Sequence, residues 1–329
     1  MPSNVSLGAP RQRIRFHREH IARGGQTLLF QTLQTQQQHG NIAEGILYRP
    51  DSDARCEMKR LFRLMPLLVC LIIVIGTLRT LAHTSDGPKV PKAQDRLKVM
   101  KTFTSEFVSI KPGTGKFPKP TSPLNAFAIA KYETTQNLYE SVMGSNPSRW
   151  KGPRNSAESM SHVEAADFCK RATTMLRGMK LITEDEEIRL PTEAEWEYAC
   201  RAGTKTDYSF GQTATESADA EPKASLLGKY GWHHGNAAGN DPVVGALKPN
   251  PWGLYDMHGY LWEYVSDPWR PGVTDPVPKP LPGSTQRTMR GGSWRDHYSM
   301  CKSSARWAVP DHVRSDAVGF RCVRAKVSK

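Results

Sequence analysis

Residues 203–329 constrain the fold most, because no long segment among them has the periodicity of a helix or a strand. Glycine, proline and aromatic residues are frequent there, and the segment 252–264 alone contains two tryptophans and three tyrosines. A chain of this kind folds as short strands and ordered loops around buried rings. The sequence therefore predicts a loop-rich domain with many aromatic side chains in its core.

Three amphipathic helices are predicted upstream of this region. They begin near Thr134, Ser161 and Thr192, whose side-chain oxygens can accept a hydrogen bond from the first helical turn. Glu164 and Glu195 follow two of these positions by three residues, which is the spacing of a capping box. Apolar residues recur at helical spacing after each start, so we expect about three helices in a mixed α+β domain.

Residues 58–82 have the layout of a secretory signal peptide. A short basic segment, 58–63, precedes the apolar residues 64–78, and the small residues needed for cleavage follow at 80–82. The chain is therefore expected to be secreted or otherwise extracytoplasmic, in the periplasm if the source is bacterial. An uncleaved membrane anchor formed by residues 64–78 is the alternative.

The rest of the chain divides around this leader. Residues 1–57 are rich in glutamine and arginine and lack apolar periodicity. This favours either a disordered extension or a translation start that was assigned too far upstream. Residues 83–102 are interpreted as a linker. The globular domain is predicted to span residues 103–329 and to open with a strand from Phe103 to Ile110.

The net charge of +13 does not by itself indicate a nucleic-acid partner. Residues 1–82 carry +6 of it, and the +7 of residues 83–329 is not concentrated in a basic run interleaved with aromatic residues. We therefore predict no nucleic-acid binding, and contact with a membrane only if the leader is uncleaved.

Four cysteines follow the leader: Cys169, Cys200, Cys301 and Cys322. An even number of cysteines in an oxidising compartment makes disulfides the default expectation, although spacing alone does not give their pairing. Their spacing does not suggest a zinc site.

The segment 290–301 is the most site-like part of the sequence. Paired glycines precede Ser293, and Asp296, His297 and Cys301 follow within eight residues. Hydroxyl, carboxylate, imidazole and thiol groups so close together are candidate catalytic groups. A histidine beside an aspartate in a loop is more often a solvated turn, so these residue types do not name a reaction.

Four motifs occur in the order seen in one family. They are Arg-Leu-Pro-Thr-Glu-Ala-Glu-Trp-Glu-Tyr-Ala at 189–199, Gly-Leu-Tyr-Asp-Met at 253–257, Arg-Gly-Gly-Ser-Trp at 290–294 and Gly-Phe-Arg at 319–321. In these residues the chain resembles the formylglycine-generating enzymes, or sulfatase-modifying factors, over residues 103–326. The resemblance implies a C-type-lectin-like fold with short antiparallel sheets.

The resemblance also implies a chemistry and shows a departure from it. Such enzymes bind Cu(I) through two cysteines and use O2 to convert a cysteine of a sulfatase, in a Cys-X-Pro-X-Arg context, into formylglycine. Ser293 matches the active-site serine and Cys301 the second cysteine, but Asp296 stands in place of the first. A carboxylate is a hard ligand that suits Cu(I) poorly, so we expect no formylglycine by the usual copper mechanism. Cys301 is then either a remnant ligand or a structural cysteine.

Two further features are implied by the resemblance. Secreted relatives carry a disulfide at the positions of Cys200 and Cys322. The family also binds calcium near a Gly-Asn-x-Trp-Glu segment, where this chain has Tyr260 in place of the asparagine but keeps Glu263. Calcium at Glu263 and an ion pair between Glu263 and a core arginine are both consistent with the sequence.

Two other functions compete with an inactive copper site. One is a related oxidase in which Ser293, Asp296 and His297 supply a hydrogen-bond donor, an acid and a base, or in which His297 and Asp296 help to hold iron. The other is a lectin-like binding or assembly module that uses the loop 268–282 and the aromatic residues Trp269, Trp294 and Trp307. In either case the expected partner is a sulfatase or another secreted protein.

Overall fold

The computed structural model describes residues 93–237, 241–270 and 285–327, which belong to one compact unit, Ser85–Lys329. The predicted extension, leader and most of the loop 268–282 lie outside the described residues. None of the described helices is long and apolar enough to cross a membrane.

Four α-helices are present in the described part of the chain. They are α1 Ala93–Ser105, α2 Gln136–Met143, α3 His162–Gly178 and α4 Glu193–Arg201. The last three confirm the predicted helices, but the cap expected at Thr134 is wrong: the N-cap of α2 is Thr135, and its side chain makes no capping hydrogen bond. Both capping boxes form, since the backbone N–H of Glu164 donates to Ser161 Oγ at 3.3 Å and that of Glu195 donates to Thr192 Oγ1 at 3.2 Å.

Helix α1 corrects the predicted linker. Residues 93–102 are helical rather than extended, and the strand expected from Phe103 begins only at Phe107. Met100 and Phe103 lie three residues apart on one face of the helix and are buried in the main core. Lysines and threonines flank these two residues, so the sequence did not show a clear apolar face. Packing against the domain stabilises this helix, whose intrinsic helix propensity is weak.

Two four-stranded sheets make up the β-structure. The first has the order β1-β2-β8-β3 and is antiparallel throughout; its strands are β1 Phe107–Ile110, β2 Phe127–Ala130, β3 Glu186–Arg189 and β8 Val323–Lys326. The second has the order β6-β5-β4-β7, with β4 Trp262–Pro268, β5 Gln286–Arg290, β6 Arg306–Pro310 and β7 Val318–Gly319. Only the short pairing of β4 with β7 is parallel, so the prediction of short antiparallel sheets is confirmed.

Aromatic rings organise the main core, as the composition predicted. Phe168 of α3 stacks on Tyr139 of α2 with ring centroids 5.6 Å apart and meets Phe320 edge to face at 5.2 Å. Phe320 follows β7 directly, so this contact attaches the end of the second sheet to the helices. The second sheet in turn carries the segment that contains Ser293, Asp296 and Cys301.

Candidate functional site

A tight double-glycine turn places the candidate residues. After β5 ends at Arg290, Gly291 and Gly292 adopt positive φ angles of 103° and 76°. A Cβ atom on Gly292 would lie 2.8 Å from Cys301 Sγ and 2.7 Å from the carbonyl oxygen of Met300, so only glycine fits there. The turn therefore packs its backbone directly against the thiol of Cys301.

Asp296 is held within this turn by three donors. Its Oδ2 atom accepts hydrogen bonds from the backbone N–H of Ser293 at 2.9 Å, from Ser293 Oγ at 2.5 Å and from Trp262 Nε1 at 2.8 Å. Ser293 is almost fully buried, and its hydroxyl donates to this carboxylate. The structure thus brings Ser293 and Asp296 together, but as a hydrogen-bonded turn anchored to the second sheet.

Cys301 is a buried thiol rather than an exposed one. Its side chain is inaccessible to solvent and packs with Tyr208, Ala224 and Leu227. Burial raises the pKa of the Cys301 thiol well above its usual value, and the negative charge of Asp296 raises it further. The sulfur is therefore neutral, which agrees with the structural interpretation of this cysteine.

His297 does not join the other candidates. Its side chain is exposed, its Nε2 atom lies 2.7 Å from Glu221 Oε2, and its Nδ1 atom lies 2.8 Å from Ser299 Oγ. Its ring also lies against Tyr298, with centroids 3.9 Å apart. The acid, base and donor set expected for an alternative oxidase is therefore not assembled from Ser293, Asp296 and His297.

The residues do not fit Cu(I). Firm binding needs soft, deprotonated sulfur ligands, and this segment offers one neutral thiol and one carboxylate that already accepts three hydrogen bonds. Within residues 93–237, 241–270 and 285–327, no group of three or more histidine, cysteine, aspartate and glutamate side chains is arranged to hold a metal ion.

Glu263 lies in a buried ion pair, which is one of the two interpretations that the sequence left open. Its carboxylate is inaccessible to solvent and accepts hydrogen bonds from Arg321 Nε and Arg321 Nη2, both at 2.7 Å, and from Trp196 Nε1 at 2.8 Å. Calcium needs six to eight oxygen ligands, whereas this carboxylate is surrounded by donors. The alternative interpretation, a core ion pair with an arginine, is confirmed.

The Cys200–Cys322 disulfide that the resemblance implies is not formed among the described residues. All four described cysteines are free. Cys200 Sγ donates to the carbonyl oxygen of Met257 at 3.4 Å, whereas Cys322 Sγ lies 4.0 Å from Cys169 Sγ. The reason is that α3, not α4, presents its cysteine to the chain after β7, and this arrangement depends on helix packing rather than on spacing.

His258 is a structural residue that the sequence did not single out. This buried histidine has Nδ1 2.9 Å from the carbonyl oxygen of Cys301, and its Nε2 accepts the backbone N–H of Ser209 at 3.0 Å. Burial lowers its pKa to about 4. A neutral His258 therefore joins the loop at Ser209 to the end of the candidate segment.

A cavity of about 180 Å³ lies beside the turn and was also not predicted. It is lined by three aromatic residues, three carboxylates and three smaller side chains: Trp150, Tyr260, Trp294, Glu158, Asp241, Asp316, Ser156, Ala237 and Leu261. Its lining comes from segments far apart in the sequence, and among the four motifs only that at 290–294 contributes a residue, Trp294.

The three tryptophans expected to form one binding surface have different surroundings. Trp294 lines the cavity, Trp307 packs against the main core, and Trp269 lies beneath the guanidinium of Arg306 at 4.5 Å. Each is half-buried.

The helices, the two small sheets and the glycine turn define a mixed α+β domain of the C-type-lectin-like kind. Residues 94–326 match the family described as "Sulfatase-modifying factor enzyme 1-like domain". The chain belongs to this family. The match includes nearly all of α1, which moves the start of the domain about ten residues upstream of the predicted Phe103.

Individual relatives match to different extents. The chain is 28% identical to "Chaperone protein LppX" of Paenibacillus barcinonensis over 267 residues, which cover 68% of this chain and 91% of that protein. It is 34% identical to the formylglycine-generating enzyme of Bos taurus over 155 residues, 41% of this chain and only 38% of the enzyme. Among solved structures, Treponema denticola variable protein 1 has a TM-score of 0.53 and 26% identity, over 66% of this chain and 94% of that one.

Proposed function

We propose that this chain is a sulfatase-modifying factor family protein that binds a secreted protein partner, with a sulfatase as the first candidate, and does not oxidise a cysteine by the copper mechanism. The observation that supports this proposal is the bonding of Asp296. At the position of the first cysteine, its carboxylate accepts hydrogen bonds from Trp262 and Ser293.

Two physical effects act against copper at this segment. Replacing one thiolate by a carboxylate is expected to weaken Cu(I) binding on the order of a thousandfold or more. The remaining sulfur, Cys301, is buried and neutral, so its proton must be removed before it can bind a metal ion. Both effects add to the cost of forming the site.

The relatives support a protein partner rather than a particular reaction. One relative named as a chaperone aligns along most of its length, and the aligned part of the formylglycine-generating enzyme is a smaller share of that protein. The name of the first relative refers to a chaperone, which acts on other proteins, whereas the name of the second refers to a reaction.

The copper half of the proposal is tested with the purified chain, Cu(I), O2 and a peptide containing Cys-X-Pro-X-Arg. We expect mass spectrometry to detect no formylglycine. The variant Asp296→Cys restores a second sulfur and is the matched control. It should bind Cu(I) roughly a thousandfold more tightly than the unmodified chain does. Repeated turnover by the unmodified chain would refute the proposal.

The binding half is tested with a secreted sulfatase as the partner. We expect a complex of equal affinity with the unmodified chain and with Cys301→Ser, because a buried neutral thiol takes no part in recognition. A complex that requires the Cys301 thiol, or no complex with the sulfatase, would contradict this half.

We further propose that residues 58–82 direct the chain out of the cytoplasm. Amino-terminal sequencing of the exported protein should find a new terminus near His83. Retention of the leader on a membrane-bound product would favour the anchor instead, and a full-length cytoplasmic product would exclude both.

A further inference from the structure

The cavity beside the Ser293–Asp296 turn has the size of a single ligand group. Its volume is about 180 Å³, comparable to cavities of roughly 150 Å³ that hold one benzene ring. Trp150 and Trp294 line it together with Tyr260 and Leu261. The space therefore fits one side chain of a partner.

Two carboxylates at the cavity have no compensating charge among the residues that the structure describes. Glu158 is 3% exposed; it accepts the backbone N–H of Arg149 and, at 3.3 Å, that of Trp150. Asp241 accepts the side-chain amide of Asn155 and the hydroxyl of Tyr260. Within the part of the chain that the structure describes, neither carboxylate has an ion-pair partner.

Asp316, the third carboxylate, differs because it is neutralised. It pairs with Arg149 Nη1 at 3.1 Å and with Arg295 Nη2 at 2.6 Å. The same two guanidiniums lie over the rings of Trp150 and Trp294, at 4.8 and 4.7 Å from the ring centroids. Asp316 thus links the two arginines that cover these rings, and these five charged groups retain a net charge of −1.

We propose that this cavity binds an alkylammonium group, such as a lysine side chain of the partner, with its charge facing Glu158 and Asp241 and its methylene groups against Trp150 and Trp294. A buried carboxylate is stabilised by an opposite charge. The indole rings of Trp150 and Trp294 offer apolar surface to the methylene groups. That the amine belongs to a protein rests on the proposed function; binding of a free amine does not.

The hydrogen bonds of Glu158 favour an ammonium over a guanidinium. Its Oε1 atom accepts two backbone N–H groups, and its Oε2 atom accepts the hydroxyl of Ser159. A guanidinium forms its strongest contact as a parallel fork to both oxygens of one carboxylate. An ammonium can donate one hydrogen bond to each of two carboxylates, and each bond needs only one free lone pair. Glu158 and Asp241 can together accept an ammonium in this way.

The experiment measures binding of n-butylammonium chloride to the full chain by tryptophan fluorescence and calorimetry, with n-butylguanidinium chloride and n-butanol as matched probes. We expect n-butylammonium to bind at least about tenfold more tightly than either probe, a difference of about 1.4 kcal/mol or more. Glu158→Gln keeps an amide oxygen for the backbone donors but removes the charge, and should weaken amine binding about tenfold. Asp167→Asn removes an exposed charge on α3 and should leave binding unchanged.

Several results would overturn the proposal. These are equal binding of n-butanol and n-butylammonium, tighter binding of n-butylguanidinium, no binding of n-butylammonium, or unchanged amine affinity in Glu158→Gln. If circular dichroism shows that Glu158→Gln is unfolded, Asp241→Asn decides by the same criterion. If the chain does not bind the amine, the result of the copper assay is unchanged. If the unmodified chain produces formylglycine, the proposed function is refuted but the amine measurement still stands.

Discussion

The motif-bearing segment and the cavity beside it are built in opposite ways. Ser293, Asp296 and Cys301 come from one short stretch of sequence, and their polar groups are occupied by neighbours or buried. The cavity is lined by residues from distant segments, and Glu158 and Asp241 face it without an ion-pair partner among the described residues. In this protein the recognisable motif forms a structural turn, whereas the two carboxylates that remain available to a ligand lie outside the motifs.

The largest effect should come from breaking the structural support at Glu263. Replacing Glu263 by Ala leaves Arg321 charged and unpaired in the core, so we expect a loss of about 3–5 kcal/mol in the free energy of unfolding. Urea denaturation measures it. Asp167→Ala removes an exposed ion pair with Arg171 and should change stability far less. Equal losses in both variants would show that the buried pair is not a support of the fold.

The cysteines sharpen the same comparison. Under oxidising conditions we expect Cys169 to pair with Cys322, since their sulfur atoms already lie 4.0 Å apart. Closing so long a loop should add about 2–4 kcal/mol of stability. Non-reducing peptide mapping would identify the bond, and Cys200→Ser should not abolish it. A Cys200–Cys322 peptide would instead favour the pairing that the resemblance implied.

The third test uses pH to measure how much the buried His258 stabilises the motif-bearing segment. The pKa of His258 is about 4 in the folded chain, below the ordinary value near 6.5. The unfolded chain therefore takes up the proton first as the pH falls. The contribution of His258 is fully present above pH 6.5 and is lost between about pH 6.5 and 4, by about 2–3 kcal/mol.

Urea denaturation at several pH values measures this loss, with the exposed His312 as the control in His312→Gln. The variant His258→Gln should be less stable at neutral pH but should lose less on acidification than the unmodified chain. If acidification destabilises both chains equally, the burial of His258 does not control this segment.

The smallest expected difference compares the two regions directly. Asp296→Ala leaves the indole N–H of Trp262 and the backbone N–H of Ser293 without their acceptor, so stability should fall by about 1–3 kcal/mol. Glu158→Gln keeps an acceptor for the backbone donors at the cavity and should lose less. Thermal unfolding compares them, and a larger loss in the cavity variant would reverse the roles assigned to the two regions.

Local signals in the sequence were sufficient for part of this fold. The helices after Ser161 and Thr192 were predicted because a capping box and an apolar face are properties of consecutive residues. Helix α1 was missed because its propensity is weak and its apolar residues gain stability only when Met100 and Phe103 enter the core. The same distinction separates the turn at Gly292, visible as a motif, from the cavity.

By itself the sequence determined the family, the mixed loop-rich fold, three helices, two of them with their capping boxes, and the replacement of a sulfur ligand by Asp296. Each of these depends on residue identity and on spacing along the chain. Only the tertiary structure decided which cysteines are neighbours, that Glu263 pairs with Arg321, that His297 is bound away from Ser293, and that Glu158 and Asp241 share a cavity. Those facts depend on which surfaces pack together, and packing is settled by burial across the whole domain rather than by any local pattern.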